Sequence, residues 1–376
     1  MYIFHLGRQS KLSAKEIEIL YSTKDMRIIK EDILLLDKEF EDIQKVQKQL
    51  GGTIMISELI ENLPVSSYEE DILDILLRYI KKNFKDKGKI RIAISSISNK
   101  YEEIGFDLKK LLREEGINPR IIRGRDKKIN AAHIIKEKLI SEKGMHFWII
   151  PTEKGIYISK TVSIQDIDQY SMVDYDKPFR DSKMGMLPPK LAKTMLNLAH
   201  PAKKILDPFC GSGTALLAGI DINLEVDGSD INESFIRGAK KNVEWYRDIT
   251  NSSYNNILKV IDAKQIDSIG NKYDAIVTEG YLGPIYSNYP NPKEQEKNFR
   301  DLERLYRSFF SKAPKVLKDK GKIVICFPAY HIKGKYNSFF EYFKKSITEF
   351  ELVEKPIIYG RPNQFVWRDI VILRKK

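Results

Sequence analysis

Cysteine is nearly absent from this chain. Two cysteines, Cys210 and Cys326, and five histidines occur among 376 residues. So few thiols, so far apart, build neither a disulfide framework nor a multi-cysteine zinc site, and the histidines show no ligand spacing. No metal is expected, and a reduced, cytoplasmic setting is. Long apolar runs are missing as well: none approaches the roughly twenty residues that span a bilayer, so no membrane contact is expected. Residues 1–8 are too short and too soon polar for a secretory signal peptide. Acid is scarce in one stretch. The formal net charge is +12, and residues 78–143 carry 19 lysines and arginines against 9 aspartates and glutamates. That surplus fits a solvated lysine-rich surface and an electrostatic footprint for nucleic acid equally well.

A chain of this length predicts two or three domains. Residues 1–62 read as a small α/β unit, with strands over 2–6, 33–36 and 53–56. Ser13 is placed to cap a helix, and Glu16 three residues on completes a capping box. Residues 66–165 read as a second unit. It has helices over 68–84, 106–115 and 131–139, strands over 90–94 and 120–123, and a closing hairpin over 146–150 and 155–162. Residues 166–186 are polar and irregular, a linker.

From residue 187 the pattern becomes a long α/β series. A helix over 191–199 leads in. Strands over 203–206, 225–230, 258–261, 273–278 and 322–327 are separated by helices over 214–222, 233–247 and 295–317. Helical crossovers make these strands parallel. After a helix over 337–350, strands over 352–359 and 365–373 close the chain with no helix between them. They meet through Gly360, Arg361, Pro362 and Asn363, an antiparallel hairpin. The class is α/β, a Rossmann-like sheet with a terminal antiparallel hairpin, which is not the dehydrogenase pattern.

The most informative segment runs from Ile205 through Asp207, Pro208, Phe209, Cys210, Gly211, Ser212, Gly213 and Thr214. An apolar strand stops at an acid, turns through glycines and enters an alanine- and leucine-rich helix. That is the first half of a nucleotide-binding unit. A carboxylate at the loop entrance repels a pyrophosphate and attracts a cation such as the ammonium of S-adenosylmethionine. The second strand ends in Asp230, followed by Ile231; an acid there suits ribose hydroxyls, and Asp230 or Asn232 equally suits a helix cap. The third ends in Asp262 and Ala263, where Asp262 suits the adenine amine. Acids at three successive strand ends share one carboxyl edge.

The fourth strand leads into Val277, Thr278, Glu279, Gly280, Tyr281, Leu282, Gly283 and Pro284. Enzymes that methylate an exocyclic amine carry an Asp or Asn, prolines and an aromatic at this strand end, and such positioning supplies much of the rate of a simple displacement. Strand register puts Glu279 at the acid position. The alternative register puts Thr278 there, with Tyr281 as the aromatic in either case. Cys210 reads as a packing residue, not a nucleophile. Arg368 and Asp369 interrupt an apolar strand, pairing with neighbours or reaching the cleft; Arg361 and Gln364 are placed to meet phosphate or base.

Residues 207–214 resemble motif I of amino-methyltransferases that act on nucleic acid bases. The catalytic candidate follows the glycine loop here, whereas in many DNA amino-methyltransferases it precedes it. That order resembles the THUMP-containing tRNA guanine-N2 methyltransferases that modify guanosine ten. So does the segment Arg180, Asp181, Ser182, Lys183, Met184, Gly185, Met186, Leu187, Pro188, Pro189, Lys190, Leu191, Ala192, and so do Phe4–His5–Leu6–Gly7–Arg8 with Leu12–Ser13 and Glu16–Ile17 at the start. The resemblance implies a ferredoxin-like domain over 1–62, a THUMP-like RNA-binding domain over 66–165, a linker over 166–186 and a class I methyltransferase domain over 187–376. It implies S-adenosylmethionine held by Asp207, Pro208, Gly211, Gly213, Thr214, Asp230, Ile231, Asp262 and Ala263, with tRNA gripped by the basic region 78–143. The chain departs from the family at Glu279–Gly280–Tyr281, where those enzymes have Asp-Pro-Pro-Tyr. Two alternatives stand beside this reading: a DNA adenine or cytosine amino-methyltransferase, and a non-catalytic RNA-binding protein on the same fold. The sequence leaves room for an accessory protein subunit.

Overall fold

The period-two runs of the first 165 residues do form strands, and they join one sheet. The computed structural model describes residues 1–22, 25–85, 88–101, 103–124, 129–180, 187–332, 334–361 and 364–376. Two units emerge from the packing. One comprises Met1–Ser10, Thr23–Lys48 and Thr53–Ile167; the other comprises Lys11–Ser22, Gln49–Gly52 and Asp168–Lys376.

The first unit contains β1 (Tyr2–Leu6), β2 (Met26–Lys30), β3 (Ile33–Leu36), β4 (Thr53–Leu63), β5 (Lys89–Ser96), β6 (Asn118–Ile121), β7 (Gly144–Thr152) and β8 (Gly155–Ile164). Their order in the sheet is β2-β3-β1-β4-β8-β7-β5-β6. Segments 1–62 and 66–165 therefore meet along β4 and β8, an antiparallel pair. Two helices, Glu69–Asn83 and Ile104–Glu114, bury Ile72, Leu76, Leu108 and Leu112 against Phe147, Ile149 and Ile158 on one face. Beside this sheet, the exposed side chains of Lys82, Lys85, Lys89, Lys110 and Lys136 carry part of the basic surplus.

The helix Ser10–Tyr21 begins three residues before the expected cap, so Ser13 lies inside it and forms no capping box with Glu16. Glu16 is fully buried instead. Its carboxylate accepts from the Gly51 and Gly52 amides at 2.8 and 2.9 Å and from the Asn197 side-chain amide at 2.7 Å. Tertiary donors outcompete the local cap because the site is dry, where a charge-assisted bond to a backbone N–H is worth most.

The second unit carries β9 (Lys204–Asp207), β10 (Glu225–Asp230), β11 (Leu258–Val260), β12 (Tyr273–Glu279), β13 (Leu317–Ile332), β14 (Lys335–Ser338), β15 (Phe350–Leu352), β16 (Ile357–Tyr359) and β17 (Trp367–Lys375). The order is β11-β10-β9-β12-β13-β17-β15, with β14 on β13 and β16 on β17. The first five of that path are parallel neighbours, and β17 pairs antiparallel with β13, β15 and β16. This is the expected Rossmann-like sheet with a terminal antiparallel addition. Of the expected hairpin turn, Pro362 and Asn363 lie outside the described residues.

Helices Pro189–Leu198, Thr214–Asp221 and Glu233–Thr250 cover one face through Met195, Leu216, Ile236 and Val243. Helix Pro292–Val316 and the Phe339, Phe340 and Phe343 cluster cover the other. Two expectations need correction. Residues of the expected linker form the helix Ile167–Tyr175, because Val173 is buried with Met195, Leu216 and Ile236 in the core of the second unit and Met172 packs against it. The helix expected over 337–350 shrinks to Phe339–Phe343, because Tyr336 and Ser338 are held by hydrogen bonds to Asp369 on the sheet and enter as β14. No helix among the described residues is long and apolar enough to cross a membrane.

Candidate active site

The strand order reverses between β9 and β12. In an open parallel sheet that switch point opens a crevice at the carboxyl ends of the two strands. Here the crevice is edged by Asp207 on β9 and by Thr278 and Glu279 on β12.

Asp207 is buried, and its Oδ1 accepts from the Thr278 hydroxyl at 2.6 Å and the Phe209 amide at 3.2 Å. Burial pushes its carboxyl up to about 7; the two hydrogen bonds oppose that rise, while the charges of Asp230 and Glu279 add to it. Successive strand side chains alternate faces: the Thr278 hydroxyl is turned to Asp207, and Glu279 beside it is turned to Arg368.

The loop that follows is shaped by two left-handed glycines, Gly211 at φ +49° and Gly213 at φ +84°; Gly213 caps the helix Thr214–Asp221. A Cβ on Gly211 would meet nothing within 4 Å, so open space lies against its backbone. Pro208 and Thr214 are buried beneath. Asp230 on β10 reaches across, its Oδ2 accepting from the Gly211 amide at 3.0 Å and its Oδ1 from the Asn232 amide at 2.9 Å. Burial raises its carboxyl as well, against those amides. Asn232, not Asp230, caps the next helix. Each Asp230 oxygen retains a lone pair for a further donor. Ile231 beside it is 67% exposed, a large apolar side chain offered at the crevice edge. Asp262 accepts from the Lys264 amide at 2.9 Å and pairs with its ammonium at 3.2 Å, capping a 3-10 turn, whereas Ala263 is buried core. Cys210 is buried against Gly228, and burial pushes its thiol well up, which suits packing and not attack.

Two cations join this acidic edge: Lys177, which carries no motif, and Arg368, expected either to pair with neighbours or to reach the cleft. Lys177 is 3% exposed, and its ammonium donates to the Ser212 and Thr214 hydroxyls at 3.4 and 3.3 Å. Its stretch is fixed by Asn242, which bonds the Phe179 amide and carbonyl and the Ser212 carbonyl. A charge cluster Asp-x-x-Lys before the loop is the only local signal for it. The second cation is Arg368 on β17, which forms a buried ion pair with Glu279. Its strand mate Asp369 is bound instead by Tyr336 and Ser338. Arg361 is exposed in the segment before β17, where its amide is bound by the Gln364 side chain.

Gly280 explains the missing proline. A Cβ there would lie 2.0 Å from the Tyr306 hydroxyl. Tyr306 is fully buried and donates to the Tyr281 carbonyl at 3.0 Å. The strand exit that prolines would stiffen through their rings is here pinned through a buried tyrosine. Tyr281 itself is 48% exposed, its ring offered to solvent at the mouth. Of the family-like segment before the domain, residues 181–186 lie outside the described residues.

The arrangement suits S-adenosylmethionine. It sets a buried cation at Lys177 for a carboxylate, acids at Asp207 and Asp230 for an ammonium and a ribose, and apolar surface at Ile231 for a purine. Among the described residues no group of histidine, cysteine and acidic side chains is placed to hold a metal.

Comparison with known proteins points to the same class of enzyme. Residues 179–336 match the RMKL-like methyltransferase domain. The tRNA (guanine(10)-N2)-dimethyltransferase of Pyrococcus abyssi is 33% identical over 41% of this chain and 41% of its own length. The chain thus spans less than half the length of such curated relatives. The probable tRNA (guanine(10)-N2)-dimethyltransferase of Methanothermococcus thermolithotrophicus is 33% identical over 30% of this chain and 72% of its own length. Among solved structures, TrmN from Thermus thermophilus superposes with a TM-score of 0.56 at 15% identity, over 100% of this chain and 99% of that one, a likeness of fold. By the match of its methyltransferase half, the chain belongs to the tRNA guanine-N2 methyltransferase family.

Proposed function

We propose that this protein transfers a methyl group from S-adenosylmethionine to the exocyclic amine of guanosine in tRNA. The observation that carries the reading is the switch-point crevice, with Asp207 and the glycine loop on one side and Glu279 and Tyr281 on the other. S-adenosylmethionine supplies an electrophilic methyl group when bound. Lys177 holds its carboxylate, Asp207 its ammonium and Asp230 its ribose, with Ile231 and Asp262 at the adenine. Glu279 accepts a hydrogen bond from the amine and turns its lone pair toward the methyl, and Tyr281 stacks on the base. Such a base must leave its helix to enter a crevice of this kind. Segments 1–62 and 66–165 serve as the ferredoxin-like and THUMP-like domains, and exposed lysines of residues 78–143 neutralise tRNA phosphates.

The test is incubation of pure protein with methyl-labelled cofactor and total tRNA or DNA. Label in tRNA, recovered after digestion as N2-methylated guanosine, is the expected result. Label in DNA alone would turn the reading to a DNA amino-methyltransferase. Cofactor binding without transfer to any RNA would make the protein a non-catalytic RNA binder.

The raised Asp207 carboxyl gives a pH signature. The carboxylate binds the ammonium and the protonated acid does not, so binding favours loss of a proton from a group that holds it up to about pH 7. Cofactor affinity is expected to weaken about tenfold per pH unit below that value and to flatten above it. Calorimetry at pH 6 and 7.5, in buffers of different ionisation heat, should detect the proton released. Asp207→Asn should remove the release; a wild-type affinity independent of pH would contradict the role.

A further inference from the structure

The Glu279–Arg368 pair is built across three strands. Glu279 on β12 lies beside Cys326 of β13, and Arg368 on β17 lies beside Pro328 of β13. The arginine and glutamate side chains therefore meet across two strand spacings, about 10 Å, over β13. Its Nε donates to Glu279 Oε1. The two side chains are only 10% and 12% exposed. The Tyr359 ring lies 5.9 Å from the guanidinium carbon.

Arginine has five donors in a fixed fork. One is used on Glu279, and no acceptor among the described residues takes the Nη groups. Glu279 Oε2 likewise takes no donor among the described residues. Neither the Nη groups nor Oε2 is among the fully buried side-chain atoms that lack a partner, so each has access to water that a base entering the crevice can replace. A lone Asp or Asn, as at this strand end in related enzymes, offers an acceptor for an amine. Here an acceptor and a donor stand side by side.

We propose that Arg368 positions Glu279 and that the pair reads two adjacent atoms of the base: Glu279 Oε2 accepts from the target amine while an Arg368 Nη donates to the acceptor ring nitrogen beside it. For guanine methylated on N2, that ring nitrogen is N3. In the transfer the amine nitrogen forms its bond to the methyl carbon, the carbon–sulfur bond breaks with its electron pair leaving on sulfur, and the surplus proton of the amine passes to water. Arg368 takes no proton; it fixes which face of the amine meets the methyl. The inference rests on the methyl-transfer reading above and deepens it.

The test uses full-length protein and RNA substrates with guanosine or 3-deazaguanosine at the labelled nucleotide, once mass spectrometry has located it. 3-Deazaguanosine keeps the amine and replaces N3 by C–H. Wild type should lose about 10- to 100-fold in kcat/KM on the analogue, the effect of leaving a charged donor unpaired. Arg368→Lys and Arg368→Met should lose a similar factor on guanosine, mostly in kcat, and should barely distinguish the two substrates. Equal discrimination in wild type and variants, or none in wild type, would overturn the proposal. If Arg368→Met fails to fold, Arg368→Lys and the wild-type comparison still decide it. Absence of transfer to any RNA by wild type would sink the methyl-transfer reading instead, so the two failures are distinct.

Discussion

Glu279→Ala is expected to lower methyl transfer by about 10²- to 10³-fold while changing cofactor affinity by no more than about threefold. The rate effect follows from removing the acceptor that orients the amine, a contribution of the size measured when one preorganised polar group is deleted from an active site. The affinity is spared because cofactor contacts are assigned to the glycine loop and the β9 and β10 ends, none of which hydrogen-bonds Glu279. The variant also strands a nearly buried guanidinium, at a cost of about 3–5 kcal/mol in stability. Glu279→Gln separates the two effects. Its amide oxygen still accepts from an amine, so it should recover part of the rate and little of the stability. Initial rates at saturating cofactor, binding calorimetry and thermal melts on the same preparations read all three quantities. Full activity in Glu279→Ala would remove Glu279 from the reaction.

The parts of this site that were legible in the sequence are those whose signal is local. An apolar run that halts at Asp207, two glycines two residues apart and an immediate alanine-rich helix need no tertiary information, because backbone sterics and hydrophobic period write them into consecutive residues. The strand-end positions of Asp230 and Asp262 are legible for the same reason. Arg368 stands out as a charge in an apolar strand, but its partner is 89 residues away and only the antiparallel placement of β17 brings them together. Lys177 lies 35 residues from Ser212, in a stretch whose composition reads as linker. Glu16 shows the converse failure. Its spacing from Ser13 satisfies the capping-box pattern, yet the Gly51 and Gly52 amides claim it. The missing prolines were visible, but their replacement by Tyr306 was not, since the contact requires the long helix Pro292–Val316 to lie against β12.

Lowering the pH from 7.5 to 5 is expected to destabilise the N-terminal unit by about 4 kcal/mol, through two histidines that look unremarkable in the sequence. His5 on β1, Ser57 on β4, Thr161 on β8, His146 on β7 and Ser95 on β5 stand on five successive strands of the sheet. They form one buried hydrogen-bonded chain. His146 is bonded at Nδ1 to Thr161 (2.8 Å) and at Nε2 to Ser95 (2.9 Å), and His5 Nε2 meets the Ser57 hydroxyl at 3.2 Å. Both rings are nearly or fully inaccessible. Burial lowers each imidazole to about 3, and His146 feels the His5 charge in addition. Folded values below the ordinary 6.5 mean that the unfolded chain binds protons the folded unit does not. Stability is therefore complete above about pH 6.5 and falls as pH drops toward 3. At pH 5 the linkage is about 2 kcal/mol per histidine. For a unit of this size the combined loss lowers the melting temperature by roughly 10 °C. Trp148 reports it, since its ring stacks on His5 at 4.5 Å and the other two tryptophans, Trp245 and Trp367, lie in the other unit. Calorimetry with tryptophan fluorescence should show the N-terminal transition moving with pH. His5→Gln, which keeps a polar group for Ser57 but cannot charge, should halve the slope. A transition that stays put between pH 7.5 and 5 would mean that the chain opens to water before it titrates, and the polar ladder would then be no barrier to protonation.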